Sequence, residues 1–118
     1  MRKKRSDSPL RCPPQLYGIY EDAAQIGAGV FWLERLSHGI MASFSAGNQA
    51  AEIDFEDEAG QEMIDFLTRH LEDSKWRPAK FLLEYKQQSI ECQVENVGTG
   101  KSKRFQVSWK DEQHIKHA

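Results

Sequence analysis

Hydrophobic positions along the chain switch between helical and strand spacing, and these switches mark the predicted elements. After Pro13-Pro14, apolar residues recur every three or four positions, which predicts a helix over residues 14–26 that Gly27 terminates. The helical period returns over residues 56–73 with acidic residues in the first turn, which suits the helix dipole. The apolar stripe of this second helix comprises Ala59, Met63, Phe66, Leu67 and Leu71.

Strand-like alternation fills the two segments that follow these helices. The first holds an apolar run over residues 30–36 and alternating positions over 40–46 and 51–55. The second alternates over residues 81–85, 90–94 and 105–109, and short turn-forming sequences join the strands of each group. We therefore predict an α+β fold in the order helix, three-stranded meander, helix, three-stranded meander, with a mainly antiparallel sheet and helices packed on it.

Length and composition predict one domain with two short tails. The chain has 118 residues, of which 39% are hydrophobic, enough for a single core. We predict a flexible basic tail over residues 1–12, a domain over 13–111 and a frayed C-terminal tail over 112–118. The sequence contains no apolar run of membrane-spanning length and no signal-peptide core, so we expect a soluble, cytoplasmic protein. Cys12 and Cys92 are too few for a disulfide framework and are expected to be reduced.

Charge is segregated along the chain although the net charge is only −2. Residues 1–11 carry a balance of +4, residues 12–74 a balance of −10, and residues 75–118 a balance of +4. The negative charge is concentrated between Glu52 and Asp73. Such a segment is either a solvated helix face balanced by the basic C-terminal third, or a docking surface for a basic partner.

We favour the docking surface and expect seven carboxylates to form it. They are Glu52, Asp54, Glu56, Asp57, Glu58, Glu62 and Asp65. Trp32 and Trp76 are candidate aromatic anchors, with core packing as the alternative for each. The leading hypothesis is a non-enzymatic, immunity-type inhibitor whose carboxylates imitate the phosphates expected by a basic partner, such as a toxin nuclease.

Motifs for catalysis, metal binding or cofactor binding are incomplete in this sequence. The segment 98–102 resembles the end of a phosphate-binding loop, but Glu95 occupies the position of the first glycine and a predicted strand follows. His114 and His117 lie in a polar terminal segment without further metal-ligand spacing. Cys92 alternates with apolar neighbours, which is typical of a buried thiol. We therefore predict no catalytic residues, no metal site and no cofactor.

Nucleic-acid binding is the chief alternative function. Its candidate contacts are a basic N-terminal arm and a basic hairpin in the second meander, comprising Arg2, Lys3, Lys4, Arg5, Lys101, Lys103 and Arg104. The isoelectric point near 6.1 is low for a nucleic-acid-binding domain. No membrane contact is expected, and the sequence leaves the oligomeric state open.

In size, α+β pattern and acidic middle segment, the chain is similar in type to small bacterial immunity proteins and other toxin inhibitors. The same likeness extends to small secretion chaperones, which stay open as a third possibility. The likeness is one of class and no aligned motif carries it. It therefore implies no role for any individual residue.

Overall fold

Two helices cover one face of a six-stranded antiparallel sheet in the computed structural model, which describes residues 12–37, 39–75, 77–99 and 103–110. The helices are α1 (Pro14–Gln25) and α2 (Asp57–Asp73). The strands are β1 (Val30–Leu36), β2 (Gly39–Ala46), β3 (Gln49–Phe55), β4 (Ala79–Tyr85), β5 (Gln88–Asn96) and β6 (Arg104–Trp109).

Local sequence accounts for the ends of both helices. Pro14 opens α1, where a missing N–H costs no helical hydrogen bond, and Gly27 follows its end with a φ of 87°, which glycine adopts readily. Asp57 and Glu58 occupy the first turn of α2, where negative charge is favoured by the helix dipole. The backbone becomes extended at Ser74, and α2 ends before it.

The strands are ordered β3-β2-β1-β6-β5-β4 across the sheet. Two-residue turns join β2 to β3 and β4 to β5, and Gly47 supplies a φ of 58° in the first of them. The two halves of the chain meet where β1 pairs with β6, with Phe31 opposite Val107 and Trp32 opposite Gln106. The N-terminal and C-terminal meanders therefore form one continuous sheet.

The core lies between the helices and one face of the sheet. Alternate strand residues point toward the helices and are buried, including Phe31, Leu33, Val94 and Val107. We call the opposite side of the sheet the open face. Within the described strands, every non-glycine side chain on the open face is at least partly exposed.

Aromatic contacts fix α1 on the sheet. Tyr17 stacks on Tyr85 of β4 with 5.3 Å between ring centroids, and its hydroxyl donates a hydrogen bond to Gln88 Oε1 at 2.5 Å. Tyr20 meets Trp109 of β6 edge to face at 5.0 Å. Such pairs add to the free energy gained from burial alone, so they hold α1 against the C-terminal strands β4 and β6.

The predicted single α+β domain with a mainly antiparallel sheet is confirmed, and the predicted order is matched approximately. The first helix ends at Gln25, the second begins at Asp57, and β5 begins at Gln88 inside a predicted connection. The two predicted tails lie largely outside the described residues, although Cys12 is half-buried against the core. No helix in the described part of the chain has the length and apolarity required to cross a membrane.

Candidate protein-binding surface

The seven predicted carboxylates are divided between two surfaces of the molecule. Glu52 and Asp54 are exposed on β3 and project from the open face, because Ile53 between them turns toward the helices. We call these two residues the β3 acidic pair. The remaining acids lie on the helical side, with Glu56 just before α2. We call the other four, Asp57, Glu58, Glu62 and Asp65, the α2 acidic face.

The α2 acidic face contains one of the protein's own cations. Arg35, at the end of β1, donates a hydrogen bond from Nη2 to Gln61 Oε1. Gln61 in turn donates from Nε2 to Asp65 Oδ1 at 2.8 Å. These groups line a shallow surface depression together with the acids of the helix. The α2 acidic face is therefore partly neutralised, and part of its charge stabilises the helix N-terminus.

The β3 acidic pair is separated from the cations of the C-terminal strands, which are Lys80 on β4 and Arg104 on β6. β3 forms one edge of the sheet, and β2 and β1 lie between it and β6. At about 4.8 Å per strand, β3 is about 14 Å from β6 and about 24 Å from β4. Among the contacts of the described residues, neither Glu52 nor Asp54 has an ion pair or a side-chain hydrogen bond. Intramolecular neutralisation of this pair is therefore absent from the part of the chain that the structure describes.

Trp32 lies near the centre of the open face. It is partly exposed on β1, with Ser43 of β2 on one side and Gln106 of β6 on the other. Its Nε1–H donates to Gln106 Oε1 at 3.1 Å, and the guanidinium carbon of Arg104 lies 5.4 Å from the ring centroid. The indole is thus held in one orientation while part of it stays accessible to solvent.

The structure describes only some of the remaining predicted contacts. Trp76 lies outside the described residues, as do Arg2, Lys3, Lys4, Arg5 and Lys101. Lys103 is exposed beside β6, and Arg104 is partly covered by its contact with Trp32. Since Arg104 lies opposite Glu34 in the β1–β6 register, its charge faces a carboxylate of the same sheet.

The cysteines and His70 do not form a metal site in the described part of the chain, although Cys12 lies near enough to Cys92 to influence its pKa. Burial raises the pKa of the Cys92 thiol to about 12, with smaller contributions from Cys12 and Glu91. Burial also raises the pKa of Cys12 and lowers that of His70, which packs between Phe66 and Phe81. Within the described ranges, no three His, Cys, Asp or Glu side chains are placed to hold a metal ion.

A small pocket of about 210 Å³ opens where β4, β5 and β6 lie side by side. Its lining includes Lys80, Lys110 and Glu91, so its charges are mixed. The indole Nε1 of Trp109, another lining residue, is buried without a hydrogen-bond partner in the described structure. This nitrogen has almost no exposed surface, so a molecule in the pocket would not reach it without a rearrangement of the indole.

Sequence reasoning missed the surroundings of Trp32. Glu34 lies on the same strand, pairing of β1 with β2 brings Ser43 beside the indole, and pairing of β1 with β6 brings Gln106. The apolar run over residues 30–36 predicts a strand but not which of its residues face the core, and the structure places Trp32 and Glu34 on the open face while Phe31 and Leu33 are buried. The neighbours contributed by β6 had no signal in the sequence, because nothing there specifies strand order.

Comparison with known proteins adds no functional information, because no family model matches the chain and no curated protein is similar to it.

Proposed function

We propose that this protein is a non-enzymatic inhibitor that binds a cationic site on another protein, such as a toxin nuclease, through its outward-facing carboxylates. The observation that carries this proposal is the β3 acidic pair, which has no ion pair to a described cation and lies three strands from β6, the nearest strand with a cation on the open face. Unneutralised surface charge of one sign accelerates association with an oppositely charged protein and selects against wrong partners.

The α2 acidic face supports the same proposal more weakly. Its acids project from the exposed side of the helix, but the positive charge of Arg35 and the positive end of the helix dipole offset part of their negative charge. The two surfaces together still give the middle third of the chain a strongly negative exterior. A partner with clustered lysines and arginines fits this charge, whereas the phosphates of a nucleic acid would be repelled by it.

Capture from the native host with the full-length chain tests the proposal. We expect the wild-type protein to retain one basic protein stoichiometrically, and the affinity to fall as salt rises from about 50 to about 300 mM. Once purified, that partner should lose its activity on titration with the wild-type chain. Measurement of binding by calorimetry would then compare two variants with the same change in net charge.

The test variant carries Glu52→Lys, Asp54→Lys, Glu62→Lys and Asp65→Lys, which reverse charges on both acidic surfaces. The control variant carries Glu21→Lys, Asp22→Lys, Glu72→Lys and Asp73→Lys, which are exposed positions on the two helices and give the same change in net charge. We expect the test variant to lose the partner and the control to retain it. An equal loss of partner affinity in both variants would contradict the proposal. Binding of a DNA strand or duplex of about 20 nucleotides to the wild-type protein with micromolar affinity at about 150 mM salt would also contradict it.

A further inference from the structure

The proposed function leaves open which acidic surface meets the partner, and the surroundings of Trp32 distinguish the two. An interface gains most of its affinity from a few buried anchors, commonly tryptophan, tyrosine or arginine, surrounded by residues that exclude water. The described part of α2 has no large hydrophobic side chain among the exposed ones, so its acidic face offers charge without an anchor. The open face combines charge with a partly exposed tryptophan.

Cross-strand register places Glu52 in the same row as this anchor and Asp54 in the adjacent row. Glu52 lies opposite Ser43, which lies opposite Trp32, so the carboxylate and the indole are two strands apart, about 10 Å. In the next row, Asp54 lies opposite Met41, and Met41 lies opposite Glu34. Ser43 places only a small side chain directly between the indole and Glu52.

The indole is oriented before any partner arrives. Its hydrogen bond to Gln106 and the nearby Arg104 guanidinium restrict its rotation, which lowers the entropy cost of binding. The guanidinium near one part of the ring also shows that this environment accommodates cation–π contacts. An arginine from a partner could stack on the accessible part of the ring and pair with Glu52 or Asp54.

The charge of the open face selects the class of occupant. The described strands place six carboxylates and two cations on it: Glu34, Glu52, Asp54, Glu84, Glu91 and Glu95, with Lys80 and Arg104. Two copies of this chain meeting by the open face would bring like charges together, which is unfavourable. With strands about 4.8 Å apart, the face spans on the order of 500 Å² in projection, comparable to the ~800 Å² that each partner gives to a standard interface.

We infer that the open face is the docking surface for a cationic protein, with Trp32 as its central anchor and Glu52 and Asp54 as the paired acids. This inference rests on the proposed function and specifies its site. It assigns the α2 acidic face a secondary role, as a source of long-range attraction and of helix stability.

Titration with deca-arginine, followed by two-dimensional NMR of the full chain, tests the inference. This peptide presents the guanidinium groups of a cationic partner, and the indole Nε1–H signal of Trp32, assigned with Trp32→Phe, reports on the anchor directly. At about 100 mM salt, we expect saturable shifts of that signal and of the β3 amides at lower peptide concentrations than any shift along α2.

Paired variants make the outcome quantitative. Glu52→Lys with Asp54→Lys should weaken deca-arginine binding by about tenfold or more, whereas Glu62→Lys with Asp65→Lys, an equal change in net charge, should weaken it by less than about threefold. Trp32→Ala should also weaken binding about tenfold. Since Trp32→Ala could disturb the sheet, its circular dichroism is compared with that of Trp32→Phe, which keeps an aromatic ring and should retain most of the affinity.

The failures of the two proposals are distinguishable. If the α2 pair of substitutions weakens binding more than the β3 pair, or the Trp32 signal stays unchanged at saturation, the open face is not the docking surface although the proposed function stands. If no saturable binding is found on either surface, and the capture experiment yields no cationic protein, the proposed function fails as well.

Discussion

His70 shows how a single side chain couples the core of this protein to pH. It lies near the end of α2, 4.6 Å from Phe66 and 5.5 Å from Phe81 between ring centroids. Burial lowers its pKa below the ordinary value of 6.5, and the nearby Asp73 carboxylate offsets only part of this effect. The folded protein therefore binds a proton at this position less readily than the unfolded chain does.

We expect this difference to destabilise the protein in mild acid. As pH falls below about 6.5, the unfolded chain gains a proton at position 70 while the folded chain resists it, so the free energy of unfolding decreases until the folded-state pKa is passed. His70→Gln should reduce the pH dependence of urea unfolding midpoints in this window. An unchanged pH dependence in this variant would show that His70 does not contribute.

Cys92 should behave as a buried hydrophobic residue. Its side chain is fully buried on β5 and its pKa is raised to about 12. In a Cys12→Ser variant at about pH 8, we expect a thiol-specific reagent to label Cys92 rapidly only after unfolding, because the thiolate is the reactive form. Fast labelling of Cys92 in the folded Cys12→Ser variant would contradict its burial.

Because the folded-state pKa of Cys92 is raised above the ordinary 9.0, the free energy of unfolding should decline as pH rises past about 9.

At the scale of elements, the packing of α2 on the sheet depends on Gly60. A Cβ atom added there would lie 2.7 Å from Cβ of the buried Ile40 on β2, closer than two carbon atoms approach in packed proteins. Glycine at this helical position permits the close approach of α2 to the sheet, at the cost of a lower helix propensity.

Substitution of the two helical glycines by alanine should therefore change the free energy of unfolding in opposite directions. Gly60→Ala should destabilise the protein by about 1–3 kcal/mol through overpacking, in spite of the better helix propensity of alanine. Gly18→Ala on α1 serves as the matched control, because an added Cβ there meets no atom within 4 Å. It should stabilise the protein by about 0.5–1 kcal/mol. Chemical denaturation measures both changes in unfolding free energy. Changes of the same sign in the two variants would contradict the close packing of α2 against Ile40.

At the scale of the whole molecule, the pairing of β1 with β6 determines which residues of the two meanders lie together on the open face. This pair joins the two meanders, so the middle of the sheet is built from strands that lie about seventy residues apart in the sequence. It also places Trp32 near the centre of the open face, and it places the β3 acidic pair at the edge farthest from β4.

Amide hydrogen exchange tests this strand order. Interior strands have neighbours on both sides, so we expect the β1 and β6 amides to be the best protected and those at the free edges of β3 and β4 to exchange faster. A sheet split into two independent meanders would instead expose an edge of β1 and of β6. Rapid exchange in both strands would therefore refute the central pairing.

Sequence alone determined the elements and much of their chemistry. Apolar periods of 3.6 and 2 separated the helices from the strands, because each element must turn its apolar side toward a core. They also indicated that Ile53 and Phe55 face the core while Glu52 and Asp54 face away, since side chains alternate along a strand. The segregation of charge along the chain was visible in the same way.

Only the tertiary structure decided which of these residues are neighbours. The acids were predicted to form one surface, yet β3 presents two of them on the open face and α2 carries the others on the opposite side of the sheet. Residues that are close in sequence can lie on different sides of a layered fold. The contacts of Trp32 with Gln106 and Arg104 depend on β1 pairing with β6, and alternation fixes the face of a residue but not the strand beside it. Long-range strand pairing results from packing of the whole chain, so it appears only when the complete sheet is assembled.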